Sequence, residues 1–224
     1  MHKGRRVRGR RVSWRGLWSA TVFGVVLCAG YSAWGQNVFI NEVHYDNRGT
    51  DTGEGLEVAG PAGTDMKGWS LVLYNGKNGR PYRTIALEGS IPDQQRGYGT
   101  LSFPISRIEN GAPDGIALVN AANEVIQFLS YEGGFTAASG PAEGLAATDI
   151  GVRETNATQT GHSLQLRGSG NAPADFTWHG PGRATPGLVN GAQTFVASPR
   201  EPPRETTGGG QGGSAPVEVV KESR

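Results

Sequence analysis

The densest run of oxygen-bearing side chains in this sequence is Tyr45-Asp46-Asn47-Arg48-Gly49-Thr50-Asp51-Thr52-Gly53-Glu54. Hard cations such as calcium take about six to eight oxygen ligands. Asp46, Asn47, Asp51 and Glu54 offer several, and Gly49 and Gly53 would let the backbone bend around an ion. The spacing is not that of an EF-hand, and Asp, Asn, Thr and Gly also build ordinary exposed turns. The run therefore reads either as a calcium loop or as a loop rich in Asx turns, and calcium is the one cofactor the residues suggest. Glu42 and Glu57 fall inside apolar strand patterns. Two carboxylates about 5–10 Å apart in a cleft can act as acid and base. On adjacent strands such residues more often face solvent, or are satisfied by backbone and arginine partners. His44, His162 and His179 have no spacing that suits a shared zinc ion and are expected at the surface or rim. Gly161-His162-Ser163 and Gly168-Ser169-Gly170 do not match a nucleophile elbow, and no phosphate-binding glycine motif follows a strand. No catalytic residue is predicted.

Charge is distributed unevenly. The 224 residues carry 21 basic and 20 acidic side chains. Residues 1–35 hold Lys3, Arg5, Arg6, Arg8, Arg10, Arg11 and Arg15 and no acid, which leaves 14 basic against 20 acidic residues, net −6. The basic start is followed by an uncharged apolar run, Leu17 to Tyr31, and then by Ala33-Trp34-Gly35, with small residues where a signal peptidase needs them. Residues 1–35 are thus read as a signal peptide, with an uncleaved anchor as the competing reading. After cleavage no membrane span is expected, and the chain is placed outside a bacterial cytoplasm: secreted, periplasmic or at the cell surface. An acidic mature chain repels phosphate backbones, so direct nucleic-acid binding is not expected. The one cysteine, Cys28, lies in the apolar run behind Leu27, which is too large to precede a lipid-attachment cysteine. The mature chain then has neither disulfide nor thiolate chemistry. Mass spectrometry of exported protein should find Gln36 at the N-terminus; an intact 1–15 segment in the membrane fraction would support the anchor instead.

Positioning of these groups falls to short strands. Glycine accounts for 36 residues and proline for 13, while hydrophobic residues reach 36% and charged ones 18%. Average domains have about 45–50% and 25%, so a helical bundle or multi-span membrane protein is disfavoured. Strand signals recur at 38–45, 55–59, 69–74, 82–87, 97–103, 114–120, 124–131, 162–166 and 176–178, with a hairpin expected around Asn120-Ala121-Ala122-Asn123. The stretch 132–160 is less regular. Eight or nine short strands imply an all-β, two-sheet sandwich over residues 36–196, each sheet hiding one face. The core is expected to include Phe39, Ile40, Val43, Leu56, Val58, Trp69, Leu71, Leu73, Ile85, Leu87, Ile116, Leu118, Val125, Phe128, Leu164, Leu166 and Trp178. Residues 197–224, rich in proline and glycine, read as a disordered tail. Trp69, Trp178, Tyr74, Tyr82, Tyr98 and Tyr131 would make a sugar or peptide platform if exposed, although the two tryptophans are expected as core anchors.

Several of these segments carry a family pattern. Phe39-Ile40-Asn41-Glu42-Val43, Gly55-Leu56-Glu57-Val58 and Asp65-Met66-Lys67-Gly68-Trp69-Ser70-Leu71 resemble the lamin tail domain, as do Asp114-Gly115-Ile116-Ala117-Leu118 and Val125 to Tyr131. Ser163-Leu164-Gln165-Leu166, Asp175-Phe176-Thr177-Trp178 and Ala184-Thr185-Pro186-Gly187-Leu188-Val189-Asn190 resemble the end of its bacterial versions. Gly55 and Met66 depart mildly from the usual pattern. The resemblance implies an immunoglobulin-like sandwich and an exported, non-catalytic binding or scaffolding module, whose partner would be an extracellular protein or polysaccharide. The alternative it implies is an accessory module or fragment of an extracellular metal-dependent nuclease or phosphoesterase system.

Overall fold

The structure, a computed structural model, describes residues 37–197. The expected signal peptide lies outside the described residues, as does all of the expected tail except Ala197. Eleven strands form two sheets. They are β1 (Phe39–His44), β2 (Gly55–Pro61), β3 (Ser70–Asn75), β4 (Arg80–Ala86), β5 (Tyr98–Pro104), β6 (Asp114–Val119), β7 (Val125–Tyr131), β8 (Thr148–Asp149), β9 (His162–Gly170), β10 (Phe176–Arg183) and β11 (Gln193–Phe195). The first sheet runs β10-β9-β1-β2-β5, with β11 parallel to the end of β9; the second runs β4-β3-β6-β7-β8. The all-β sandwich read from the sequence is the observed fold. β8 and β11 are additions, two and three residues long. Among the described residues no helix is long and apolar enough to cross a membrane.

Inner faces meet in one core that includes Ile40, Val43, Leu56, Val58, Trp69, Leu71, Leu73, Ile116, Leu118 and Leu164. The motif before β3 shows how the sequence aims its largest members. Asp65 Oδ1 accepts the Lys67 N–H at 2.9 Å, Gly68 sits at φ +83°, and the Trp69 N–H closes on the Met66 carbonyl at 3.0 Å. Only a residue that tolerates a left-handed φ fits at Gly68. The turn carries both Met66 and Trp69 inward.

One expectation needs correction. The sheets do not each hide a single face: every residue of β1 and β6 is buried. Phe135, Ala137 and Ala142, from the irregular stretch after β7, cover Val72, Tyr74, Ala117 and Phe128 on the outside of the second sheet. Phe195 covers Phe39, Ala59, Tyr98 and Phe176 outside the first. Gly115 on β6 is required by this cover, since a Cβ there would lie 2.7 Å from the Phe135 ring. Strands covered on both sides need apolar residues at both parities, which is why Leu71-Val72-Leu73-Tyr74 runs without alternation. Ile85, Val125 and Trp178, expected in the core, are only partly buried because they sit at its margins. Trp69, Tyr74, Tyr98 and Tyr131 are buried, so those four form no binding platform.

Candidate binding cleft

A cleft of about 210 Å³ opens on the outer face of the first sheet. Strands β1, β2 and β5 form its floor, and segments 53–55 and 184–186 form its walls; Glu42, His44, Glu54, Glu57, Ser102 and Pro186 line it. Glu42 and Glu57 lie directly opposite each other on β1 and β2, 5% and 1% exposed. A register irregularity between Ile40 and Glu42 lets Asn41 as well as Glu42 reach the Glu57 side of the sheet. The two carboxylates are neither solvent-facing nor paired with arginine. Glu57 accepts the Asn41 side-chain amide at 2.9 Å and the Gly187 backbone N–H at 2.6 Å. Glu42 accepts the Thr185 N–H at 3.0 Å and its hydroxyl at 2.8 Å.

Burial pushes the Glu57 carboxyl up to about 8, and nearby Glu42 adds to the rise while Asn41, Gly187 and Thr100 oppose it. Asn190 completes the seam by donating to the Leu166 carbonyl at 2.9 Å, and Gln193 donates to the Asn41 side chain at 2.6 Å. The closing Thr185-Pro186-Gly187-Leu188-Val189-Asn190 run is thus a clasp on buried carboxylates of β1 and β2.

His44 is buried, contrary to the expected surface or rim position. Its Nδ1 lies 2.9 and 3.0 Å from the two oxygens of Glu154, and its Nε2 donates to the Thr52 carbonyl at 3.1 Å. Both ring nitrogens face acceptors, so the imidazolium is the form that fits. Burial alone would lower its pKa, but Glu154, the Thr52 carbonyl and Glu54 outweigh it and leave the value raised. Glu154 is fully buried and also accepts the Tyr45 and Asp46 N–H groups at 2.7 and 3.0 Å. It lies in the stretch the sequence marks as irregular, where nothing distinguishes it from a loop carboxylate. His162 is half-buried and His179 exposed.

Of the four residues expected to bind calcium, Asp46, Asn47 and Asp51 come together. Asp51 accepts the Asn47 N–H at 3.1 Å, and burial, then the Asp51 charge beside it, raises the Asp46 carboxyl. Glu54 turns elsewhere. Its two oxygens accept the Arg107 and Ile108 N–H groups, each at 2.7 Å, and clip the β5–β6 loop against the sandwich. Among the described residues no three His, Cys, Asp or Glu side chains are placed to hold one metal ion. Arg107 is exposed and held at φ +60°. Glu54→Ala would strand two backbone donors and cost about 1–3 kcal/mol. Trypsin should then cut after Arg107 much faster than in the parent; an unchanged digestion rate would show that the loop does not depend on Glu54.

Comparison with family models, with curated proteins and with solved structures finds no match for this chain.

Proposed function

We propose that this protein is an exported binding or scaffolding module of the lamin-tail type, with the cleft over β1, β2 and β5 as its seat for an extracellular protein or polysaccharide. One observation carries the reading: the carboxylates of the cleft are already committed to backbone amides of their own chain. Thr185 holds Glu42, Gly187 holds Glu57, and Arg107 and Ile108 hold Glu54. A general acid or base must be free to exchange a proton with a bound substrate. These groups instead fix the walls of a recess, as a preorganised binding surface requires. The N-terminal charge pattern and the acidic remainder support export and a partner other than nucleic acid.

Ser102 is half-buried at the cleft on β5, opposite Glu57 in register, so Ser102→Trp fills the recess. Residues 36–224 should be titrated with soluble cell-surface polysaccharides and with extracellular proteins of the producing organism. The same preparation should be assayed for turnover of DNA, RNA, phosphoesters and glycans with divalent metals. Binding that weakens at least tenfold in Ser102→Trp supports the reading. Turnover abolished by Glu57→Gln would replace it with a hydrolase, and binding indifferent to Ser102→Trp would move the ligand off the cleft.

A further inference from the structure

Beyond the cleft, the outer face of the first sheet continues onto β9 and β10. Arg167, Gln165 and Ser163 alternate with the core residue Leu164 along β9, and they stand opposite Thr177, His179 and Gly182 of β10. Gly182 shows where the arginine lies. A Cβ there would be 2.8 Å from Arg167 Nη2 and 3.8 Å from Gln165 Oε1, so the guanidinium rests over a bare stretch of β10 beside Gln165. Arg167 is half-buried, and Thr177 and His179 are exposed. Among the described residues the guanidinium makes neither an ion pair nor a hydrogen bond, and its Nε is buried without a partner. Its Nη groups keep access to solvent. From His162 to Arg183 the only acid is Asp175, whose Oδ2 accepts the Asn171 and Ala172 N–H groups, each at 2.9 Å. Glu42 touches Gln165 from β1 at 3.4 Å but is held by Thr185 on the cleft side. The sheet thus strips a fixed cation of part of its hydration and supplies no partner in return.

We propose that Arg167, with Thr177 and His179 on the same face, forms an oxyanion site for a singly charged group of an acidic polysaccharide, the carboxylate of a uronic acid or a sulfate half-ester. Either group offers oxygens to the outward Nη N–H groups, and such charge-assisted hydrogen bonds are the strong kind. One fixed cation matches one negative charge. Thr177, directly across the ladder from Arg167, adds a hydroxyl, and His179 adds a ring nitrogen. Gln165 bonds its neighbours through Nε2 alone, which leaves Oε1 as an acceptor. Donors and an acceptor around one charge suit the hydroxyls that flank an acidic group on a sugar. A protein partner fits less well, because protein interfaces are anchored by large side chains in buried pockets. The exposed large apolar residues, Leu145 and Leu188, lie on neither strand. A nucleic-acid backbone needs several cations in a row, and this face holds one arginine. The site goes beyond the cleft reading and does not rest on it, since the cleft is built over β1, β2 and β5.

Residues 36–224 should be tested by affinity electrophoresis against polygalacturonate, dextran sulfate and uncharged dextran at one ionic strength. The expected result is saturable binding of polygalacturonate, of dextran sulfate or of both, and none of dextran. Which charged polymer binds separates the uronate from the sulfate ester. Binding should weaken at least tenfold in Arg167→Gln and in Thr177→Glu. Thr177→Glu sets a carboxylate opposite Arg167 from an exposed position and keeps the test open if Arg167→Gln fails to fold. Arg80→Gln, at an exposed position on β4 of the other sheet, changes the net charge by the same unit and should bind as the parent does. An equal loss in Arg80→Gln would reduce the attraction to net charge and overturn the proposal. So would failure to bind either charged polymer, dextran binding as tight as theirs, or binding unchanged in a folded Arg167→Gln or Thr177→Glu variant. Ser102→Trp separates this site from the cleft. A loss there with Arg167→Gln unaffected puts the glycan in the cleft and removes the anion site, whereas the reverse leaves the anion site standing without the cleft.

Discussion

Glu154→Gln is expected to cost about 3–5 kcal/mol, the range seen when one member of a buried ion pair is removed. Glu154 is fully buried and holds His44, the Tyr45 N–H and the Asp46 N–H. The amide keeps one acceptor oxygen for three donors and loses the charge. The loss should also depend on pH in a definite direction. In the parent, the His44 pKa lies above its ordinary value of 6.5. The histidine's contribution is therefore fully present below about 6.5 and fades as pH rises through the folded-state value. Without Glu154, burial dominates and pulls the imidazole below 6.5, so protonation then opposes folding. The gap between parent and variant should be larger at pH 5.5 than at pH 8.5. Urea denaturation at the two pH values measures it. Equal gaps would mean that His44 is neutral in both proteins and that only the backbone bonds of Glu154 matter.

That pair also marks the limit of what the sequence shows. Strand positions were legible because most strands announce themselves locally: Leu71-Val72-Leu73-Tyr74 is apolar and β-prone, and the hairpin turn after β6 is signalled by Asn120, whose Oδ1 accepts the Ala122 and Glu124 N–H groups at 3.0 and 2.8 Å. β11 has three residues and no alternation of its own, and it exists because β9 offers it an edge. The chemistry of the cleft was less legible because its partners are remote. Thr185 reaches Glu42 across 143 positions and Gly187 reaches Glu57 across 130. A carboxylate in a strand looks solvent-facing until the segment that buries it is known. The same applies to Glu54, whose sequence neighbours suggested a cation while its actual partners are two amides more than 50 residues away.

Trp69→Ala should be as damaging as the loss of Glu154, by a different mechanism. Trp69 is 7% exposed and belongs to the main inter-sheet core with Met66, Leu71, Leu87 and Ile91. Its backbone is tied on both sides, to the Met66 carbonyl at 3.0 Å and to the Leu87 N–H at 2.9 Å. The surrounding strands therefore cannot easily collapse into the space the indole leaves. Truncating a buried aromatic under those conditions costs about 3–5 kcal/mol. Small domains have about 5–15 kcal/mol in total, so the variant should be marginal or unfolded at growth temperature. After Gly35 the only tryptophans are Trp69 and Trp178, so Trp178→Phe leaves Trp69 as the sole indole of residues 36–224. In that background acrylamide should quench the fluorescence poorly, and urea denaturation of Trp69→Ala should show the full loss. A stability change within about 0.5 kcal/mol, as for surface substitutions, together with free quenching, would remove Trp69 from the core. The aromatic platform would then return as the place to look for a ligand.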